Sequence, residues 1–171
     1  EKKAGRLFGI EDTVGAGITV AEEYVTAIEV ALGAAVSNII TDTEESAKAA
    51  IAFLKRTHAG RVTFLPRSSV RGSRMEQLER AKQEPGAVAV ASELVKTRDI
   101  YRPIVENLLG RTLVADNMDS AVALSRKYGY RFKIVTLDGG VCNVGGSLTG
   151  GSLNNKGGVL SGGVHLNKLA A

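Results

Sequence analysis

An apolar stripe with helical spacing occurs twice along this chain. Tyr24, Ala27, Ile28, Ala31 and Leu32 fall at i, i+3, i+4, i+7 and i+8 and stop at Gly33; Tyr101, Ile104, Val105, Leu108 and Leu109 repeat the spacing and stop at Gly110. Each stripe leads to a short β-prone run, residues 38–40 or 112–114, and then to an acid at Asp42 or Asp116. A second helix follows through Ser46-Ala47 or Ser120-Ala121, with a glycine stop at Gly60 or Gly129. A β-rich run, 61–65 or 131–135, closes each unit. The pattern predicts two copies of helix, strand, helix, strand over roughly 20–66 and 97–138, a mixed α+β chain of two similar lobes. Asp42 is expected to cap its helix with Glu45 three residues on, which makes these acids structural.

Between the copies, residues 68–73 read as loop, 75–80 as a short helix and 87–90 as a buried strand, which places an inter-lobe segment at 67–86. The expected organisation is lobe I at 1–66, lobe II at 87–163, and a C-terminal segment at 164–171. The last five residues resemble a vector-derived tail and are set aside from the fold; a start at Glu1 without a leader reads as an excised fragment.

The far end of lobe II breaks the pattern with glycine. Ten of the 20 glycines lie between Leu137 and Gly163, all in adjacent pairs: 139-140, 145-146, 150-151, 157-158 and 162-163. Glycine costs about 0.5–1 kcal/mol relative to alanine inside a regular element, so the pairs imply bends, positive φ or close approach by another chain. Strand-prone residues 141–144 and 147–149 sit between them. A short glycine-framed strand follows, one whose bare edge suits strand pairing across a subunit boundary.

Composition then removes function classes. At 171 residues, 44% hydrophobic and 23% charged, the chain is ordinary for a folded domain, and no run approaches the ~20 apolar residues of a membrane span. Cys142 is the sole cysteine, which fits a reducing cytoplasmic setting and leaves zinc without ligands, since only His58 and His165 accompany it. Both histidines are expected at exposed element ends, and Cys142 as a buried, inert thiol. No Gly-Lys occurs, so there is no P-loop; Gly15-Ala16-Gly17 lacks the third glycine of a dinucleotide fingerprint. No catalytic residues, metal or cofactor are expected. The alternative is a phosphate- or small-ligand-binding enzyme domain that uses the glycine-rich loop as an anion nest; the lack of a helical stripe after Gly151 weighs against it.

Net charge is +4, unevenly placed. Residues 55–82 carry 8 basic and 2 acidic side chains, and 1–54 carry 4 basic and 9 acidic. Lys55, Arg56, Arg67, Arg71 and Arg74, with Lys156 further on, are therefore the candidate DNA contacts. Few aromatics interleave, so such binding would be phosphate-directed, independent of sequence and sensitive to salt.

Several motifs together resemble a known family. Leu137-Asp138-Gly139, Asn143 and the run 145–152, Gly-Gly-Ser-Leu-Thr-Gly-Gly-Ser, are similar to the glycine signature of the hinge domain of prokaryotic structural maintenance of chromosomes (SMC) proteins. Tyr24-x-x-Ala27-Ile28-Glu29-x-Ala31-Leu32-Gly33 and Gly60-Arg61-x-Thr63-Phe64-Leu65-Pro66 extend the match over nearly all of 7–163. The resemblance implies a hinge at the middle of a long coiled coil whose distant heads are an ATPase, nucleoid-associated and acting in chromosome condensation and segregation. It also implies homodimerisation into a ring-like body, with Gly139, Gly145, Gly146, Gly150 and Gly151 permitting the contact, and DNA as a second partner. Val144 stands where the family commonly has proline, Gly140 where it has an acid, and Asn154-Asn155-Lys156 where some members have a lysine run.

Overall fold

A computed structural model describes residues 7–152 and the backbone of Asn167–Leu169. Both stripes form the expected helices, α1 (Val25–Leu32) and α4 (Arg102–Leu109), each entered through a 310 turn and each burying its apolar face. They lie between strands that also recur. The first repeat holds β1 (Ile10–Thr13), β2 (Ile18–Ala21), β3 (Ile39–Thr41) and β4 (Phe64–Pro66). The second holds β5 (Ala87–Val90), β6 (Val95–Thr97), β7 (Thr112–Ala115) and β8 (Lys133–Thr136). Helix α2 (Glu44–Thr57) joins β3 to β4 in parallel, and α5 (Met118–Lys127) joins β7 to β8 in the same way. Each pair is a crossover unit, and in both an antiparallel strand, β1 or β5, borders it.

The repeats meet where β2 pairs antiparallel with β6, with α1 packed on α4. That junction is cemented by Tyr101, 1% exposed, whose hydroxyl donates to Asp12 at 2.7 Å, and by Thr97, whose hydroxyl donates to the Gly17 carbonyl at 2.7 Å. Burial and the Asp12 carboxylate together raise the Tyr101 phenol above its ordinary range. Strand alternation then sorts side chains to opposite faces. Ile40, Val114 and Val135 point into a core shared by both repeats, whereas Leu113 and Ile134 point into a second core, closed by Leu78 and Ala81 of α3 (Glu76–Ala81).

The sheets of the two repeats differ. That of the second has five strands, ordered β10-β9-β8-β7-β5, because a hairpin of β9 (Val141–Cys142) and β10 (Leu148–Thr149) is added beside β8. That of the first has three, β1-β3-β4.

Local details correct several expectations. The helix caps fall one residue later than the acids: Thr43 Oγ1 accepts from the Ser46 N–H at 3.1 Å, and Asn117 Oδ1 accepts from the Ser120 N–H at 2.8 Å. Asp42 instead accepts from the Ser46 hydroxyl and the Thr43 N–H, both at 2.6 Å, and the Ser46 bond leads the contributions that hold its carboxyl below the usual range. Helix α2 stops not at Gly60 but at His58, which takes the left-handed conformation at φ 54°. Residues 61–63 and 131–132 are not strand, so both closing strands are shorter than their β-prone runs. Asn167–Leu169, set aside as tail, forms β11, parallel to β2.

Candidate functional site

The glycine signature builds the hairpin from two turns. At the first, Gly139 turns at φ 97°, and the Thr136 hydroxyl accepts from the Gly140 N–H at 2.8 Å while donating to Asp138. That hydroxyl is the leading cause of the low Asp138 carboxyl pKa. A side chain at Gly140 would come within 2.5 Å of the Met118 methyl. At the second turn the Gly146 N–H donates to the Asn143 carbonyl and the Gly145 N–H to the Tyr130 carbonyl, both at 2.9 Å. The amides of Gly145 and Gly146 are therefore already used inside the chain, and residues through Ser152 do not open a helix.

Four of the five signature glycines are explained by the chain itself: Gly139, Gly145, Gly146 and Gly151 all have positive φ. Gly150 differs. Its φ is not in that region, and nothing among the described residues lies within 4 Å of where its Cβ would stand. It directly follows β10, whose outer edge has no partner strand among the described residues. Two apolar side chains of the hairpin are exposed, Leu148 on that strand at 57% and Val144 in the second turn at 63%.

A second open edge lies in the first repeat. Strand β4 occupies the place of β8 but, among the described residues, has nothing in the place of β9. Next to it a groove of about 320 Å³ is lined by Ile51, Leu54, Lys55, Gly60, Arg61 and Val62. The opposite edges of these same two sheets, β1 and β5, each carry a register irregularity, which discourages further pairing; β4 and β10 carry none.

The basic candidates separate by environment. Lys55 and Arg56 are exposed at the C-terminal end of α2, with the Arg56 guanidinium 5.8 Å from the Phe53 ring centre. Arg71 is exposed and donates to the Ser68 and Val70 carbonyls. Arg67 makes a two-pronged pair with Glu11, both bonds 2.8 Å, which raises its pKa. Arg74 is held by Glu79, Glu93 and Glu106 and donates to the Ser92 hydroxyl; burial alone would lower its pKa, but the three carboxylates outweigh that and raise it. Arg67 and Arg74 thus tie the inter-repeat segment to the two repeats. Their charge is largely neutralised, a fact hidden in the sequence because Glu93 and Glu106 lie 19 and 32 positions from Arg74. Lys156, Gly157-Gly158, Gly162-Gly163 and His165 lie outside the described residues. Cys142 is buried, and desolvation raises its thiol pKa. The described residues contain no cluster of His, Cys, Asp and Glu able to hold a metal ion, and no helix long and apolar enough to cross a membrane.

Comparison with known proteins gives this arrangement a context. The profile of SMC proteins Flexible Hinge Domain matches residues 7–125. The chain is 46% identical over 145 residues to the chromosome partition protein Smc of Desulfitobacterium hafniense, covering 85% of this chain and 12% of that one. It is 42% identical over 157 residues to that of Bacillus subtilis, covering 91% and 13%. It therefore spans about an eighth of the length of these relatives. Among solved structures it is similar to an asymmetric dimer of the Geobacillus stearothermophilus SMC hinge domain, with TM-score 0.85 and 38% identity, covering 90% of this chain and 63% of the other. The Pyrococcus furiosus SMC hinge domain follows at TM-score 0.72 and 28% identity, covering 88% and 76%. On this agreement of sequence, fold and glycine signature, the chain belongs to the hinge-domain family of SMC proteins.

Proposed function

We propose that this chain is the self-association hinge of a chromosome-partitioning SMC ATPase, in which β10 of each copy adds to β4 of the other. The observation that carries this reading is the inequality of the sheets: among the described residues, β8 has a hairpin beside it and β4, its counterpart, does not. A second copy supplies what is missing. Placed antiparallel on β4, as β9 lies on β8, the incoming hairpin makes a continuous sheet of the three strands of one copy and the five of the other. Two such junctions related by a two-fold axis close into a ring, and each continuous sheet then ends at the irregular edges β1 and β5. Gly150 keeps the approaching backbone unobstructed, and Val144 and Leu148 enter the groove beside Gly60 and Val62. The long arms and ATPase heads belong to the rest of such a protein, and this hinge joins two of them.

The test is mass in solution. Sedimentation of the purified chain gives twice 18.0 kDa on this account, and a Gly150→Val variant sediments as a monomer of unchanged secondary structure. An undiminished dimer in that variant contradicts the assignment.

We propose in addition that the exposed cations Lys55, Arg56 and Arg71 contact DNA phosphates, with Arg67 and Arg74 serving structure instead. Three contacts per copy in a dimer predict a slope of log affinity against log salt of about −5, at about 0.9 per phosphate neutralised. Binding that does not weaken with salt refutes it.

A further inference from the structure

Where the two repeats join, a cleft of about 410 Å³ is lined by Asp12, Gly17, Thr19, Lys96, Arg98 and Tyr101. That volume lies within the roughly 300–1,000 Å³ of small-molecule sites. The internal repeat shows which residues open it. Tyr101 stands 77 positions after Tyr24, and the same offset carries β1 onto β5 and the start of β2 onto that of β6. Under it Gly17 corresponds to Leu94, Asp12 to Ala89 and Arg98 to Ala21. Around Tyr24 these places hold two alanines and a leucine, and Leu94 and Tyr24 both pack against the shared core. Around Tyr101 they hold an acid, a base and a glycine. A Cβ at Gly17 would come within 3.2 Å of the Tyr101 ring, so the glycine leaves that side of the ring uncovered.

The polar groups of the cleft are largely unspent. Thr19 and Lys96 face each other across the β2–β6 ladder, and Arg98, two residues on in extended backbone, falls on the same face as Lys96. The Arg98 guanidinium is held 5.4 Å from the Tyr101 ring centre. Lys96 and Arg98 are exposed, and among the described residues neither has a carboxylate partner. Arg67, Arg74, Lys82 and Lys127, by contrast, are all paired. Asp12 accepts the Tyr101 hydroxyl through Oδ2, while its Oδ1 has no donor among the described residues. The neighbouring Glu11 is taken up by Arg67.

We propose that this cleft binds a small phosphorylated sugar. Two cations match one phosphate dianion, and Lys96, Arg98 and the Thr19 hydroxyl are the donors that hold it. The Asp12 carboxylate accepts a sugar hydroxyl, and Tyr101 fixes it in place. The same carboxylate repels further negative charge, which favours a free sugar phosphate over the phosphate chain of a nucleic acid. The cleft shares no residue with the β4 groove or the hairpin, so this inference is independent of the proposed junction.

The test is calorimetric titration of this chain with ribose 5-phosphate, inorganic phosphate and duplex DNA in turn. Ribose 5-phosphate should bind at least about tenfold more tightly than phosphate. Its binding should weaken at least about tenfold in Lys96→Thr and in Arg98→Ala, each of which installs the residue that the other repeat carries at that place. Both side chains are exposed, so thermal unfolding should be unchanged in both variants. DNA that leaves the affinity for ribose 5-phosphate unaltered supports a separate site. The inference is overturned by no binding of ribose 5-phosphate at about 10 mM, by equal affinity for it and phosphate, or by unchanged affinity in either variant. Duplex DNA that displaces ribose 5-phosphate, and fails to bind in both variants, also overturns it, since the cleft is then part of a nucleic-acid surface.

Discussion

Leu148 offers a sharp test of the proposed junction because it does nothing visible for the single chain. It is 57% exposed and sits on the outer strand of the hairpin, so replacing it should leave the fold intact. Leu148→Ala removes three carbon groups, each worth about 0.8 kcal/mol when fully buried. Only the exposed share is left to bury on association, which gives about 1.4 kcal/mol per junction. A two-fold dimer contains the residue twice, so the loss is about 2.7 kcal/mol and the dissociation constant rises about 100-fold. Sedimentation equilibrium over a wide concentration range measures this, and circular dichroism and thermal unfolding at concentrations where both proteins are monomeric check that the fold is kept. A dissociation constant within threefold of the parent would mean that Leu148 faces water in the assembly, and the hairpin would have to be moved out of the interface.

Other consequences concern the frame that presents the hairpin. Leu78→Ala opens the second core where Leu78 is fully buried and should cost about 2–5 kcal/mol in chemical denaturation. Arg74→Met leaves Glu79, Glu93 and Glu106 facing one another and should lower Tm by about 2–4 °C near neutral pH. Two of those acids, Glu79 and Glu93, have lowered pKa values; for Glu93, bonds from Lys82 and Arg74 outweigh its burial. Their stabilisation is present above the unfolded carboxylate value of about 4.3 and is lost as pH falls through their lower folded values, so the Arg74→Met deficit should shrink in acid. A deficit independent of pH would remove the ionic explanation. Cys142 should resist thiol reagents in the native protein and react once it is unfolded, because burial disfavours its thiolate.

The parts of this fold that were legible in the sequence are those decided locally. The stripes at Tyr24 and Tyr101 specify α1 and α4 because a helix face is written at fixed spacing, and the matching runs after them expose the repeat. The caps slipped because Asp42 and Asp116 are each followed by an equally good capping residue, Thr43 or Asn117, and the strand geometry decided between them. The β-prone runs beginning at Arg61 and Arg131 are longer than the strands they form, since β propensity continues past the point where the ladder has a partner. The glycine signature was legible as a short glycine-framed strand; its hairpin, and the backbone angles that separate Gly150 from the four glycines with positive φ, show only in the fold. The neutralisation of Arg67 and Arg74 was beyond sequence reasoning, because Glu11 lies 56 positions from Arg67 and no local pattern joins them.

The continuous sheet is tested most directly by amide hydrogen exchange at residues 61–66 and 147–150, followed by mass spectrometry as the protein is diluted through its dissociation range. The account predicts that both stretches are protected at high concentration and lose protection together as the dimer dissociates. A dimer of twice 18.0 kDa in which either stretch exchanges at the same rate as in the monomer would contradict it, since the two copies would then be joined by another surface.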